Sequence, residues 1–294
     1  MKNKLSAWLS LTRADHGIMS SVGVLIGIMI VLKASGLTLA PTQFALALLV
    51  PICIQVAAFA LNDLLDVEAD RHNKRTDRPL VNGEIGEGAA KITVVAGFVL
   101  GIAFAFLINP AAGAIAVVFS ALSIAYDYRL KDLPLVGNIY IALSMAIAFV
   151  FGAAVVKPDA VYSLPAAIWL VCIIAFFAGV GREIIKSAQD MEGDRVARKA
   201  KTLPIMIGTR NALIVAAVAY VIFAIGAFWL LYSYALPFMA LSAGLVAIST
   251  LAFLAMAYEI VVAKELGQER LAAFRKTSLY ALMAGLAGIL IAAI

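Results

Sequence analysis

Seven stretches of this 294-residue chain contain no Asp, Glu, Lys or Arg: 17–32, 34–62, 92–126, 133–156, 160–181, 211–258 and 277–294. Runs of that length dictate what the chain can become. A helix of about 20 apolar residues crosses a bilayer core roughly 30 Å thick, and in lipid only helices and closed barrels satisfy their own backbone. Barrel strands would be far shorter and would alternate in polarity, and these runs do neither. The 35-residue stretch 92–126 is too long for one crossing and breaks at Asn109-Pro110, a turn pair. The 48-residue stretch 211–258 breaks near Tyr232 to Pro237. With one helix in each of the other five, the chain is expected to be an all-α polytopic membrane protein with nine transmembrane helices.

Composition agrees. Hydrophobic residues make up 64% and charged residues 14%, against about 45–50% and about 25% in an average soluble domain. A soluble globular enzyme, a disordered chain and a disulfide scaffold are excluded. Cys53 and Cys172 both fall in apolar runs without metal-ligand spacing, so neither a disulfide nor a zinc site is expected. Arg13, Asp15 and His16 lead straight into the first span with no small-residue cleavage site, so this segment is kept as a helix of the mature protein.

Charge sets the orientation. With nine helices, all of the 23 Lys and Arg residues except Lys33 and Lys157 fall on the side holding the N-terminus. The positive-inside rule makes that side cytoplasmic and puts the C-terminus outside, in a multi-pass protein of the cell membrane. All of the 18 acids except Asp159 share that side, which the rule does not require. Something else gathers them there.

The second span ends in Asn62-Asp63-Leu64-Leu65-Asp66-Val67-Glu68-Ala69-Asp70-Arg71. Helical spacing puts Asn62, Asp66 and Asp70 on one face, with Asp63 beside them. Like charges four apart repel, and acids at a helix C-terminus oppose its dipole. Mg²⁺, which takes one or two carboxylates together with waters and phosphate oxygens, resolves that conflict. The loop that follows carries Lys74, Arg75 and Arg78 ahead of Pro79, cations suited to phosphate.

A second cluster ends the sixth span, with Arg182, Lys186, Asp190 and Asp194 spaced four apart. Asp63 and Asp190 are 127 residues apart, whereas Asp70-Arg71 and Asp194-Arg195 are 124 apart, a faint internal repeat. Two acidic clusters with cations, both above apolar helices, suit a diphosphate that carries a hydrocarbon tail. Tyr126, Tyr128 and Lys131, in a third segment on the same side, are placed to contact the leaving group. Transport is the rival from another class, but the acids sit at one surface and no charged path crosses the spans. The cations are interleaved with acids at the membrane, so no nucleic-acid surface is read, and no soluble region implies a protein partner.

These motifs, in this order, make the chain resemble the UbiA superfamily of intramembrane prenyltransferases. The resemblance rests on Asn62-Asp63-x-x-Asp66-x-x-x-Asp70, the Tyr126 to Lys131 segment and the second aspartate motif. It implies one transmembrane prenyltransferase domain over 1–294, with the helices arranged around a central cavity that opens toward lipid, and Mg²⁺-dependent transfer from a prenyl diphosphate to a lipid-like acceptor. Gly181-Arg182-Glu183, Glu192-Gly193-Asp194-Arg195, Lys201-Thr202-Leu203-Pro204 and Leu135-Val136-Gly137-Asn138-Ile139 are similar to the archaeal branch. That branch joins geranylgeranyl diphosphate to geranylgeranylglyceryl phosphate, forming the second ether bond of archaeal lipids. Ser187 and Gln189 depart from its pattern, and an aromatic acceptor such as 4-hydroxybenzoate is the alternative. The expected metal ligands are Asn62, Asp66, Asp70, Asp190 and Asp194, with Asp63 joining the four aspartates as catalytic. Arg71, Arg78, Tyr126, Lys131, Lys186 and Lys201 are expected on the diphosphate.

Overall fold

The computed structural model describes residues 4–72, 75–159, 163–197, 201–233, 239–263 and 265–294. Among these residues no strand occurs, and the helices are α1 (Lys4–Thr12), α2 (Ala14–Ser35), α3 (Pro41–Leu65), α4 (Val67–His72), α5 (Glu87–Ile108), α6 (Pro110–Tyr128), α7 (Val136–Val156), α8 (Ala166–Gln189), α9 (Met191–Ala197), α10 (Leu203–Ile207), α11 (Thr209–Ser233), α12 (Met239–Val262) and α13 (Gln268–Ala293). Nine of the described helices, α2, α3, α5, α6, α7, α8, α11, α12 and α13, are long and apolar enough to cross a membrane. They are the nine expected from the charge-free stretches.

The break at Asn109-Pro110 has a local cause. Asn109 Oδ1 accepts from the Ala112 N–H at 2.8 Å, capping α6. Pro110 follows at the first helical position, where a missing N–H leaves nothing unsatisfied. Asn109 Nδ2 donates to the Ala154 carbonyl at 3.0 Å and so also ties this turn to α7. Most of the second expected break lies outside the described residues, between the ends of α11 and α12. Lys33 does not end the first span as its charge implied. It sits in the last turn of α2, where a cation complements the helix dipole, and Gly36 at φ 67° closes the helix.

Packing follows the chain. Helix α3 lies on α5, α8 on α11 and α12 on α13, while α7 lies between α2 and α8 and α13 returns to α2. The α2–α7 contact is backbone to backbone: a methyl at Gly152 would collide with the Val24 carbonyl, and one at Gly27 with the Phe149 carbonyl. Small residues permit this approach where lipid supplies no hydrophobic drive between helices. The short helix α1 buries Ala7 and Leu11 against Ala60, Val67 and Leu80 and leaves Leu5, Trp8 and Leu9 exposed.

Candidate active site

Both acidic motifs bend at an aspartate. Helix α3 ends at Leu65, and Asp66 takes φ −93°, ψ 1° before α4 begins. Helix α8 ends at Gln189, and Asp190 takes φ −88°, ψ 1° before α9 begins. Each bend keeps its hydrogen bonds: Asp66 N donates to Asn62 O at 3.0 Å, and Asp190 N donates to Lys186 O at 2.9 Å. The two bends are 124 residues apart, so of the two registers read from the sequence, this one is built into the backbone. The expectation that each motif runs along a single uninterrupted helix is corrected by these bends.

Asp63 is enclosed. Its side chain is 2% exposed, with Arg13 Nη2 at 2.8 Å and Arg78 Nη1 at 3.1 Å from Oδ1. A carboxylate held by two guanidiniums orders those cations, which favours a positioning role for Asp63 beside the catalytic one expected from the sequence. Arg13 takes the left-handed conformation at φ 42°, ψ 50°, between α1 and α2, and stacks over Phe59. Burial lowers its pKa, and the neighbouring Asp63 opposes that shift.

The remaining candidates divide between these motifs. Lys131 Nζ donates to Asp66 Oδ1 at 2.8 Å, and both side chains are largely buried. Arg78 Nε lies 3.5 Å from Asp70 Oδ2 and makes no hydrogen bond among the described residues. Arg182 Nε is likewise buried without a hydrogen bond, so each motif presents one unmet guanidinium donor. Asp190 is half exposed, 4.0 Å from Arg275 Nη1. Asp194 is partly buried. Arg71 and Lys201 are exposed and do not line the main cavity. The Lys201 backbone N–H donates to Asp132 O at 3.0 Å, tying the loop after α9 to the loop after α6. Lys74 lies outside the described residues. In the same loop, hydrogen bonds from Arg75 hold the Asp77 carboxyl below its ordinary pKa.

Asn62, Tyr126 and Lys186 meet at one cavity of about 190 Å³ between α2, α3, α6 and α7. Its walls below them are mostly apolar and include Ile54, Phe59, Phe119 and Ile147. Tyr126 stacks on Tyr140 with ring centroids 4.9 Å apart, whereas Tyr128 is 60% exposed.

Sequence reasoning missed Asp127, Glu183 and Arg13 as site residues. Asp127, 4% exposed, accepts from Asn62 Nδ2 at 2.9 Å, which leaves the Asn62 amide oxygen turned elsewhere. Glu183 is buried between Arg182 at 3.0 Å and Lys186 at 3.2 Å. Both are acids at the end of an apolar run, the signal that marked the first motif. The two departures, Ser187 and Gln189, have partners: Ser187 Oγ accepts from Asn138 Nδ2 at 2.9 Å, and Gln189 Oε1 from Arg275 at 3.4 Å.

No group of three or more His, Cys, Asp or Glu side chains converges as a closed metal cage among the described residues. Mg²⁺ does not need one, because it keeps waters and shares phosphate oxygens. Asp66, Asp70, Asp190 and Asp194 offer hard carboxylate oxygens and Asn62 an amide oxygen, and Arg13 and Lys186 bring positive charge to the cavity lining. The residues present fit a magnesium-bound diphosphate.

Among the described residues, nine helices long and apolar enough to cross a membrane, with acids and cations gathered over a mostly apolar cavity, define a multi-pass membrane protein suited to an anionic head on an apolar tail. Residues 21–291 match the UbiA prenyltransferase family, and the chain belongs to it; it is a prenyltransferase. It is 33% identical over 297 residues to the digeranylgeranylglyceryl phosphate synthase of Archaeoglobus fulgidus, covering 98% of this chain and 95% of that one. The enzyme of that name from Methanoculleus marisnigri is 37% identical over 210 residues, 70% of each chain. The fold superimposes with a TM-score of 0.79 and 21% identity on the apo structure of a UbiA homologue from Aeropyrum pernix, covering 96% of this chain and 99% of that one. A UbiA homologue from Archaeoglobus fulgidus bound to GPP and Mg²⁺ gives 0.69 at 22% identity, with the same coverage.

Proposed function

We propose that the chain transfers the geranylgeranyl group of geranylgeranyl diphosphate to the free hydroxyl of geranylgeranylglyceryl phosphate, with Mg²⁺, forming the second ether bond of archaeal membrane lipids. The observation that carries this reading is the meeting of Asn62 and Lys186, one from each acidic motif, at the mouth of a single apolar cavity. Relatives named digeranylgeranylglyceryl phosphate synthase, aligned over 98% of the chain in one case, support the acceptor.

Asn62, Asp66, Asp70, Asp190 and Asp194 would hold the metal. When bound, Mg²⁺ neutralises the charge that builds on the leaving diphosphate. Lys186 adds positive charge at the cavity lining beside Tyr126, and Arg71, Arg78, Lys131 and Lys201 are the further cations assigned to the diphosphate. Such preorganised charge lowers the barrier because it is in place before the bond breaks. The donor carbon–oxygen bond breaks toward an allylic cation, and the apolar walls keep water from it. The acceptor oxygen then forms the new bond and passes its proton to a carboxylate of one of the two aspartate motifs, while the diphosphate leaves with the bonding electron pair. The whole chain, 1–294, works as one transmembrane unit, with the N-terminus and the site on the cytoplasmic side and the C-terminus outside.

Asp66→Ala and Asp194→Ala should each lower transfer by about 10²–10³-fold, with the helical circular dichroism signal retained. Full activity in either variant at saturating Mg²⁺ overturns the ligand assignment.

A further inference from the structure

Asn62 and Asp66 stand one helical turn apart at the end of α3, and a second segment, the end of α6 and the turn after it, matches them residue for residue. Asn62 Nδ2 donates to Asp127 Oδ1 at 2.9 Å, and Lys131 Nζ donates to Asp66 Oδ1 at 2.8 Å. Both links span 65 positions, so they form two parallel rungs. Their polarity alternates: an acid meets the amide in the first rung, and a cation meets the acid in the second. Asp127 is 4% exposed, and the side chains of the second rung are largely buried. The second segment is itself held. The Lys201 N–H donates to Asp132 O at 3.0 Å, and a methyl at Gly137 would lie 3.1 Å from the Lys131 Cα. Among the described residues that line the main cavity, Asp127 is the one acid, and Asn62 lines it beside Asp127.

The first rung has a direction. A carboxylate only accepts hydrogen bonds, whereas an amide has a donor end and an acceptor end. Asn62 can therefore turn only its Nδ2 toward Asp127, and its carbonyl oxygen faces the other way. Mg²⁺ takes that oxygen and has no use for the amide nitrogen. We propose that Asp127 is a positioning residue for the metal: it fixes the direction of the Asn62 amide, so that the oxygen and not the nitrogen is offered as a ligand. The inference rests on the reading that Asn62 holds Mg²⁺. Partners that orient a metal ligand in this way are worth about 10–100-fold in metal affinity. A tie that does no more than hold α3 against α6 needs a hydrogen bond of either direction, and that difference separates the two roles.

The test measures binding of Mn²⁺, a paramagnetic stand-in that shares the oxygen preference of Mg²⁺, to the purified full chain with inorganic diphosphate and no prenyl donor. Free Mn²⁺ is read from its electron paramagnetic resonance signal. Asp127→Asn keeps a hydrogen bond to Asn62 but releases its direction. It should weaken Mn²⁺ binding about tenfold, while its melting temperature in metal-free buffer stays close to that of the wild type. The exchange Asn62→Asp with Asp127→Asn keeps the charge and reverses the bond, and a carboxylate shows an oxygen to the metal whichever way it turns. That variant should bind Mn²⁺ at least as tightly as the wild type, an independent reading should Asp127→Asn alone fail to fold. Unchanged affinity in folded Asp127→Asn overturns the proposal, because the rung is then a tie between helices. An exchanged pair that binds as weakly as Asp127→Asn overturns it as well, because Asp127 then meets the metal itself. A wild-type chain that binds no Mn²⁺ with diphosphate overturns the assignment of Asn62 as a ligand.

Discussion

Asp63 shows how far a residue's role depends on what reaches it from elsewhere in the chain. Along its own helix it looks like one more acid in an aspartate-rich string. In the fold it is sealed between Arg13, fifty positions earlier, and Arg78, fifteen later. Spacing on one helix reports which residues share a face and is silent about a partner from another segment. The same limit hid Asp127, whose link to Asn62 spans 65 positions. Spacing did pick out Asn62 and Lys186, which the fold brings to one cavity, because each lies in line with charged residues at the end of an apolar run. Removing Asp63 leaves two guanidiniums facing each other with their shared counter-charge gone. Asp63→Ala should destabilise the protein by about 3–5 kcal/mol, read as a lower melting temperature in detergent, with Asp63→Asn between it and the wild type. A variant that melts with the wild type contradicts the positioning role.

At the scale of helices, charge-free length located all nine crossings among the described residues, since the bilayer sets the length a crossing needs. What it did not locate is the bend at Asp66 and at Asp190, because a change in ψ at one residue leaves the apolar pattern intact. Nor does it report depth: Gly27 and Gly152 read as two glycines among many, and only their placement opposite the Phe149 and Val24 carbonyls makes them a contact. That contact should be intolerant of volume. Gly152→Ala should cost about 1–3 kcal/mol by forcing α2 from α7, whereas Gly193→Ala, with open space around it, should melt within a degree or two of the wild type. Equal stability of the two variants would show that α2 and α7 are not locked there.

For the whole molecule, the arrangement separates two tasks. The apolar helices hold a tail and exclude water, while the bent ends of α3 and α8 gather charge over the mouth. On this account the acceptor, and not the fold, decides between an ether lipid and a prenylated aromatic product, and the metal is required for either. The decisive measurement is a transfer assay on the purified chain with radiolabelled geranylgeranyl diphosphate and Mg²⁺, offering geranylgeranylglyceryl phosphate or 4-hydroxybenzoate in separate reactions, each repeated with EDTA. The account predicts an ether product from the glyceryl phosphate alone, abolished by the chelator and restored by added Mg²⁺. Product from the hydroxybenzoate alone, or ether formation that EDTA does not touch, would contradict it.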